Sequence, residues 1–385
     1  MPTEAHGIEA RPVTHGPRLH FFGYYDKTPW CPAGDLLLAL EADFMDRRPS
    51  PEDRATIGVV HLMDGGRFEP LAGTRAWNWQ QGCMLQWLPG TESQVVFNDR
   101  EGDRFVSRVL DVRTGVVART LPLPVYAVCP DGRQAVSLSF ARLFAACPGY
   151  GYAGAPDPWA GEAAPAGDGL WHLDLHTGEH RLIYSLAEAA EAAGAAPEEG
   201  VLHRFNHAQW APDGSRFAVL HRWGVPGKSW VTRLLTFGPR GEDPHVLSDH
   251  GMVSHYDWRD GEHLLAWARR EGVGNRYFLF RDRSGDEPAV VGEGTLTVDG
   301  HCSYSPDRRW VLTDTYPDAD GIRTLILFEA ATGRRIDIGR FHGPTPPDGE
   351  IRCDLHPRWS RDGQQVCIDS IHEGGRRQMY VLDVS

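Results

Sequence analysis

The sequence predicts an all-β chain: a seven-bladed β-propeller whose ring is closed by its own N-terminal segment. Two repeats and one missing strand predict it. The first repeat is an apolar or aromatic anchor followed by a tight Pro/Asp/Gly turn, at Trp30, Trp87, Val128, Trp210, Trp258, Tyr304 and Trp359. Each turn leads into a β-type run such as "LLLAL", "FAVLH" or "QVCIDS", and turn residues between apolar runs mark hairpins. The second repeat is a later strand, usually ended by a Gly turn: "IGVVHLMDGG", "SRVLDVRTG", "LWHLDLHTG", "TRLLTFGPRG", "YFLFRDRSG", "TLILFEAATG" and "QMYVLDV". It too occurs seven times. Short strands in fours, repeated at about 40–45 residues, read as propeller blades.

The seventh unit runs out after its third strand, at Ser385. A segment around Ile8–Val13 is therefore expected to supply the outer strand, which removes an exposed sheet edge. Residues 1–385 are then expected to form a single propeller domain. Between Ala141 and Gly200 the repeat is interrupted by an insertion. Its first part, "FAACPGYGYAGAPDPWAGEAAPAGDG", is Gly/Pro-rich and reads as a long loop; "LAEAAEAAGAAPEEG" reads as a short helix.

The composition, 41% hydrophobic and 24% charged, is that of a globular chain. The N-terminal residues hold no apolar segment resembling a secretory signal, and seven cysteines without a CxxC pair argue for a reducing compartment. A cytoplasmic location is expected. No run approaches the roughly 20 apolar residues of a membrane span. A net charge of −13 argues against nucleic acid or an anionic membrane as partner.

Four anchors carry a histidine three residues ahead: His207, His255, His301 and His356. In a propeller the first strand of each blade lines the central channel, so these side chains are expected at one mouth. The corresponding slots of the first three blades hold Lys27, Met84 and Val125, so the fold does not itself demand histidine there. Neutral imidazole is the commonest metal ligand, and the cluster predicts a metal site of His255, His301, His356 and Asp354. Asp354 is preferred to Cys353 because residues two apart share a strand face. A divalent ion is expected, with Mn, Zn and Ca as candidates. The ends of the second strands and the segments before the anchors add polar groups: Tyr24, Gln81, Asn98 and Arg222, with Tyr150 overhanging from the insertion. Lys27, Arg222 and Arg352 are expected to hold acidic substituents of a substrate.

The last blades resemble those of the propeller-type polysaccharide lyases, a class that includes the oligogalacturonate and ulvan lyases. "SHYDW" resembles the strand with the catalytic histidine, which implies that role for His255. "DGHCSYSPD" resembles a metal-histidine strand, giving His301. "CDLHPRWSRDGQQVCIDSIHEGGRRQMYVLD" resembles the final blade: His356 fits the second histidine of its His-Pro-His motif, and Asp354 stands where the first belongs. The resemblance also implies an arginine near the base, for which Arg222 is the candidate. Ulvan lyases use a tyrosine where this chain reads Asn206-His207, which makes His207 a rival base. The implied activity is β-elimination on uronic-acid-containing oligosaccharides, an acidic substrate. The residues leave two alternatives open: a non-catalytic binding propeller, or a metal-dependent glycan hydrolase on the same site.

Overall fold

Seven sheets form the ring expected from the repeats. The computed structural model describes residues 4–5, 7–195 and 198–385. Each sheet has four antiparallel strands in sequential order, apart from the ends of the chain. In the last blade, Arg358–Trp359, Gln365–Ser370 and Gln378–Asp383 are completed by Ala10–Pro12, with Ala10 opposite Leu382 and Pro12 opposite Tyr380. The expected closure by the N-terminal segment is therefore present, and Pro12 sits on an edge strand, where a missing N–H costs least. The preceding blade gains an unforeseen fifth strand, Glu4–Ala5, running parallel to Arg334–His342.

Three of the anchors join neighbouring blades. Trp87 Nε1 donates to the Pro29 carbonyl, Trp210 Nε1 to Ala127 and Trp258 Nε1 to Gln209. In each case the acceptor is the residue just before the preceding blade's anchor. The turn glycines recur for a different reason. Gly34, Gly90, Gly132, Gly214 and Gly363 all take φ between +69° and +83°, a region that L side chains enter at a cost.

The insertion is built in two pieces, because the strands Gly169–Asp174 and His180–Ser185 of the third blade interrupt it. The expected helix covers Leu186–Ala192, started by a capping box between Ser185 and Glu188. Ala196 and Pro197 of that stretch lie outside the described residues. A second helix, Phe140–Ala146, was not foreseen and runs only into the first residues of the Gly/Pro-rich part; Ser139 caps it by accepting from the Arg142 N–H. Arg142 then fastens the insertion to the fourth blade. It is 1% exposed, pairs with Asp157 at 3.0 Å, and donates to the carbonyls of His203, Glu162 and Ala163.

A buried carboxylate makes one blade junction sensitive to pH. Asp257, beside Trp258, accepts from the Tyr304 N–H at 2.7 Å and from Gln209 Nε2 at 2.6 Å. Burial nevertheless pushes its carboxyl up to about 6. In the unfolded chain an aspartate titrates at about 3.9, so the folded state binds this proton more tightly. Stability should fall as pH rises from about 4 to about 6 and stay lower above that. Asp257→Asn is expected to remove the fall. The amide keeps an acceptor for Tyr304, and Gln209 Oε1, which has no donor, can take the new N–H. The variant should be more stable near neutral pH by on the order of 2 kcal/mol and unchanged near pH 4. Parallel melting profiles against pH for the two proteins would sink this.

Candidate functional site

Four histidines and a tyrosine meet in the channel. His207 is carried by Leu202–Trp210, His255 by Val253–Trp258, His301 lies just before Ser303–Tyr304, and His356 just before Arg358–Trp359. Their rings surround Tyr24, whose centroid is 4.8 Å from His207, 6.5 Å from His255, 6.0 Å from His301 and 5.2 Å from His356. The repeat position is strained in two of these blades. His207 has φ +59° and His356 φ +42°, and strand pairing slips between Asn206 and Gln209. Non-glycine residues persist in this region where surrounding contacts hold them. Here the His207 N–H donates to the Tyr126 hydroxyl at 3.0 Å, and its carbonyl accepts from the Tyr256 hydroxyl.

Three side chains converge as metal ligands do. One ligand atom from each of His301, Asp354 and His356 lies within 4.8 Å of the others, and all three residues are buried. His301 is pinned by Asp314, whose oxygens lie 2.9 and 3.0 Å from Nδ1 and accept the His301 N–H at 2.8 Å. That leaves Nε2 to bind, the outer-partner arrangement common to metal-bound histidines. Burial alone would lower the His301 imidazolium, but the charge and hydrogen bond of Asp314, with the charges of Asp354 and Asp299, together outweigh it and raise it. His356 is held neutral by burial, and its Nε2 is buried without a partner. An orphaned buried nitrogen is costly unless something binds it. Two nitrogens and an oxygen suit Zn or Mn better than Ca, which prefers oxygen ligands throughout. The residues present thus fit a divalent ion. Asp354 also makes a two-pronged pair with Arg352, both contacts 2.6 Å. Burial pushes its carboxyl up, but Arg352 outweighs this and holds it below the usual range. Each oxygen keeps a second lone pair for an ion.

His255 stands beside this group, its ring centroid 4.2 Å from that of His301, but it is engaged differently. Its Nδ1 faces Asp299 at 3.0 Å and Ser254 Oγ at 3.2 Å. With Nδ1–H donated to the carboxylate, Nε2 is a free acceptor. Burial lowers the imidazoliums of both His255 and His207, so each ring is neutral at ordinary pH. The His207 ring is already engaged by the Tyr24 hydroxyl, at 2.8 Å from Nδ1 and 3.1 Å from Nε2. Arg222 donates to the Val253 carbonyl at 3.4 Å, beside the His255 strand.

The other expected residues divide. Tyr150 does overhang the cluster, 5.9 Å from the His207 ring. Gln81 supports it from beneath, donating to the Tyr126 hydroxyl at 2.9 Å. Arg352 lies over the Tyr316 ring, 4.9 Å away, with its guanidinium committed to Asp354. Asn98 does not face the mouth: it is fully buried, and its amide is used by Val125 and the Tyr152 hydroxyl. Lys27 is also displaced. The Phe22–Thr28 segment leaves the first blade's edge and crosses the channel, so Lys27 pairs with Asp26 and lines a cavity of about 200 Å³ with Gln86 and Gln209 at the opposite end. Tyr24 separates the two ends.

Residue pattern missed the holding roles of Asp299 and Asp314, and it missed Arg204. A signal existed for the first. Gly300 between Asp299 and His301 is obligatory, because a Cβ there would lie 1.8 Å from the Asp314 carbonyl oxygen. An Asp-Gly pair directly before a channel histidine was thus the trace of a packed turn.

No family model matches the chain, and no curated protein does. Among solved structures it is similar to an oligogalacturonate lyase from Vibrio parahaemolyticus, with a TM-score of 0.67 and 13% identity over 98% of this chain and 94% of that one. It is also similar to a puromycin-hydrolyzing peptidase from Mycobacterium tuberculosis, at TM-score 0.55 and 16% identity over 99% of this chain and 55% of that one. The β-propeller domain of Cps50 (Swd1) from Myceliophteria thermophila matches at TM-score 0.53 and 14% identity over 95% and 98%. At such identities the likeness shows the seven-bladed fold. No helix among the described residues is long and apolar enough to cross a membrane.

Proposed function

We propose that this chain is a metal-assisted lyase that cleaves uronic-acid-containing oligosaccharides by β-elimination. The observation that carries the reading is the convergence of His301, Asp354 and His356 beside two neutral histidines, one of them free to accept a proton. The likeness of the fold to an oligogalacturonate lyase supports the choice of reaction.

A uronide has a weakly acidic C5 proton next to its carboxylate. His255, with Nδ1 held by Asp299, offers Nε2 as the base that takes this proton; positioned bases contribute about 10²–10⁴-fold. The C5–H electron pair forms the C4–C5 double bond, the C4–O bond breaks, and the departing oxygen takes a proton. The Tyr24 hydroxyl, held against His207, is a phenol in the cluster that can supply it. Burial raises the Tyr24 phenol, so it carries its proton at neutral pH. Neutralising the substrate carboxylate favours the enolate-like transition state. A divalent ion held by His301, Asp354 and His356 would supply that positive charge. The five key side chains are only 1–4% exposed, which excludes water but requires Tyr150 or Arg352 to move for a substrate to enter.

The test is ultraviolet absorbance of the unsaturated product over a panel of uronides, with metal added. His255→Ala should lower the rate by at least about 10²-fold, against no change in Arg113→Ala on the surface. Equal rates in the two variants, or cleavage without an unsaturated sugar, would overturn the reading.

A further inference from the structure

Two arginines of the fourth blade are buried side by side with nothing to neutralise them. Arg204, on Leu202–Trp210, lies directly opposite Arg222, on Phe217–Gly224. They are 4% and 8% exposed. Like charges facing each other across two strands are destabilising, and buried charges are ordinarily paired. Among the described residues neither has a carboxylate within ion-pair distance. The Arg204 side chain makes no hydrogen bond among the described residues. Arg222 makes one long bond to the Val253 carbonyl, and its Nε is buried without a partner. Burial, then the charge of Arg222, pushes the Arg204 guanidinium down to about 10.

What the two share is an indole. Trp230 lies 5.2 Å from the Arg204 guanidinium and 5.7 Å from that of Arg222, and it is 43% exposed. A corner with two unpaired cations and an exposed aromatic face matches an anionic sugar, its acid on the guanidiniums and its apolar face on the ring. Arg204 stands three positions before His207, about 10 Å of strand, which is too far for one carboxylate to serve both. We infer that Arg204, Arg222 and Trp230 form a subsite for the acidic group, carboxylate or sulfate ester, of the sugar next to the one cleaved. This rests on the proposed lyase reading for the direction of the chain, but the subsite itself binds an anion whether or not cleavage occurs.

The arrangement makes a two-sided prediction. Without ligand, Arg204→Gln relieves a buried repulsion, so its melting temperature should equal or exceed that of the parent. With ligand, it should lose affinity. The probes are inorganic sulfate and free glucuronate, titrated calorimetrically at constant ionic strength into the full chain. The parent should bind at least one of them saturably, and the preferred anion tells a sulfate ester from a carboxylate. Arg204→Gln and Arg222→Gln should each weaken that binding at least tenfold, and Arg204→Lys should restore part of it. Failure of both anions to saturate, unchanged affinity in Arg204→Gln, or a lowered melting temperature with binding intact would overturn the subsite. Saturable binding without unsaturated product would leave the subsite standing and remove the lyase. Unsaturated product with an unchanged KM in Arg204→Gln would do the reverse.

Discussion

Replacing His301 and His356 together by alanine is expected to abolish divalent-metal binding and to reduce uronide cleavage by more than about 10³-fold. The parent, after incubation with Zn or Mn and desalting, should retain one equivalent by elemental analysis; the double variant should retain none. The physical basis is that His356 Nε2 is a buried nitrogen with no partner in the protein, while His301 Nε2 is left over once Asp314 has taken Nδ1. Asp314→Ala should fall between, with metal affinity down about 10–100-fold, because the ring loses its orientation and not its ligand atom. Retention of metal by the double variant would remove the assignment. Absence of metal from the parent would leave His301 and His356 without a chemical role and would favour a binding propeller.

Asp369→Ala is expected to have the largest effect on stability. Asp369 is 1% exposed and joins the last blade to the segment that crosses the channel. It pairs with Arg358 at 2.7 Å and accepts from the Phe22 and Gly23 N–H groups at 3.3 to 3.4 Å, while Arg358 donates to the Gly23 carbonyl. Removing the carboxylate leaves Arg358, 2% exposed, as an uncompensated buried charge, a loss of about 3–5 kcal/mol. Asp369→Asn keeps one acceptor for the backbone and should lose less. The same tie sets Tyr24, the residue after Gly23, so a variant that still folds should show a weakened Tyr24–His207 contact as well as lower thermal stability. A melting temperature within a degree of the parent in Asp369→Ala would show that the segment is held by other contacts.

The sequence by itself determined the architecture. The anchors and the Gly turns specify seven blades, and the outer strand expected near Ile8–Val13 is supplied by Ala10–Pro12. The offset of three between histidine and anchor was also legible, because a strand's inward face follows from its own alternation. These signals are local: each is written within one blade. The tertiary structure decided what meets across the ring. Tyr24 and His207 touch although 183 residues separate them, and no pattern within a blade encodes that. Lys27 and Asn98 sat at mouth-facing repeat positions, yet one is carried past the plug to the far end and the other is used up between blades. Arg352 was expected to hold an acidic substituent of a substrate and is paired with Asp354. Arg204 became visible only when partners, or the lack of them, could be counted. Repeat and period are properties of the chain, whereas pairing of buried polar groups depends on closure of the ring.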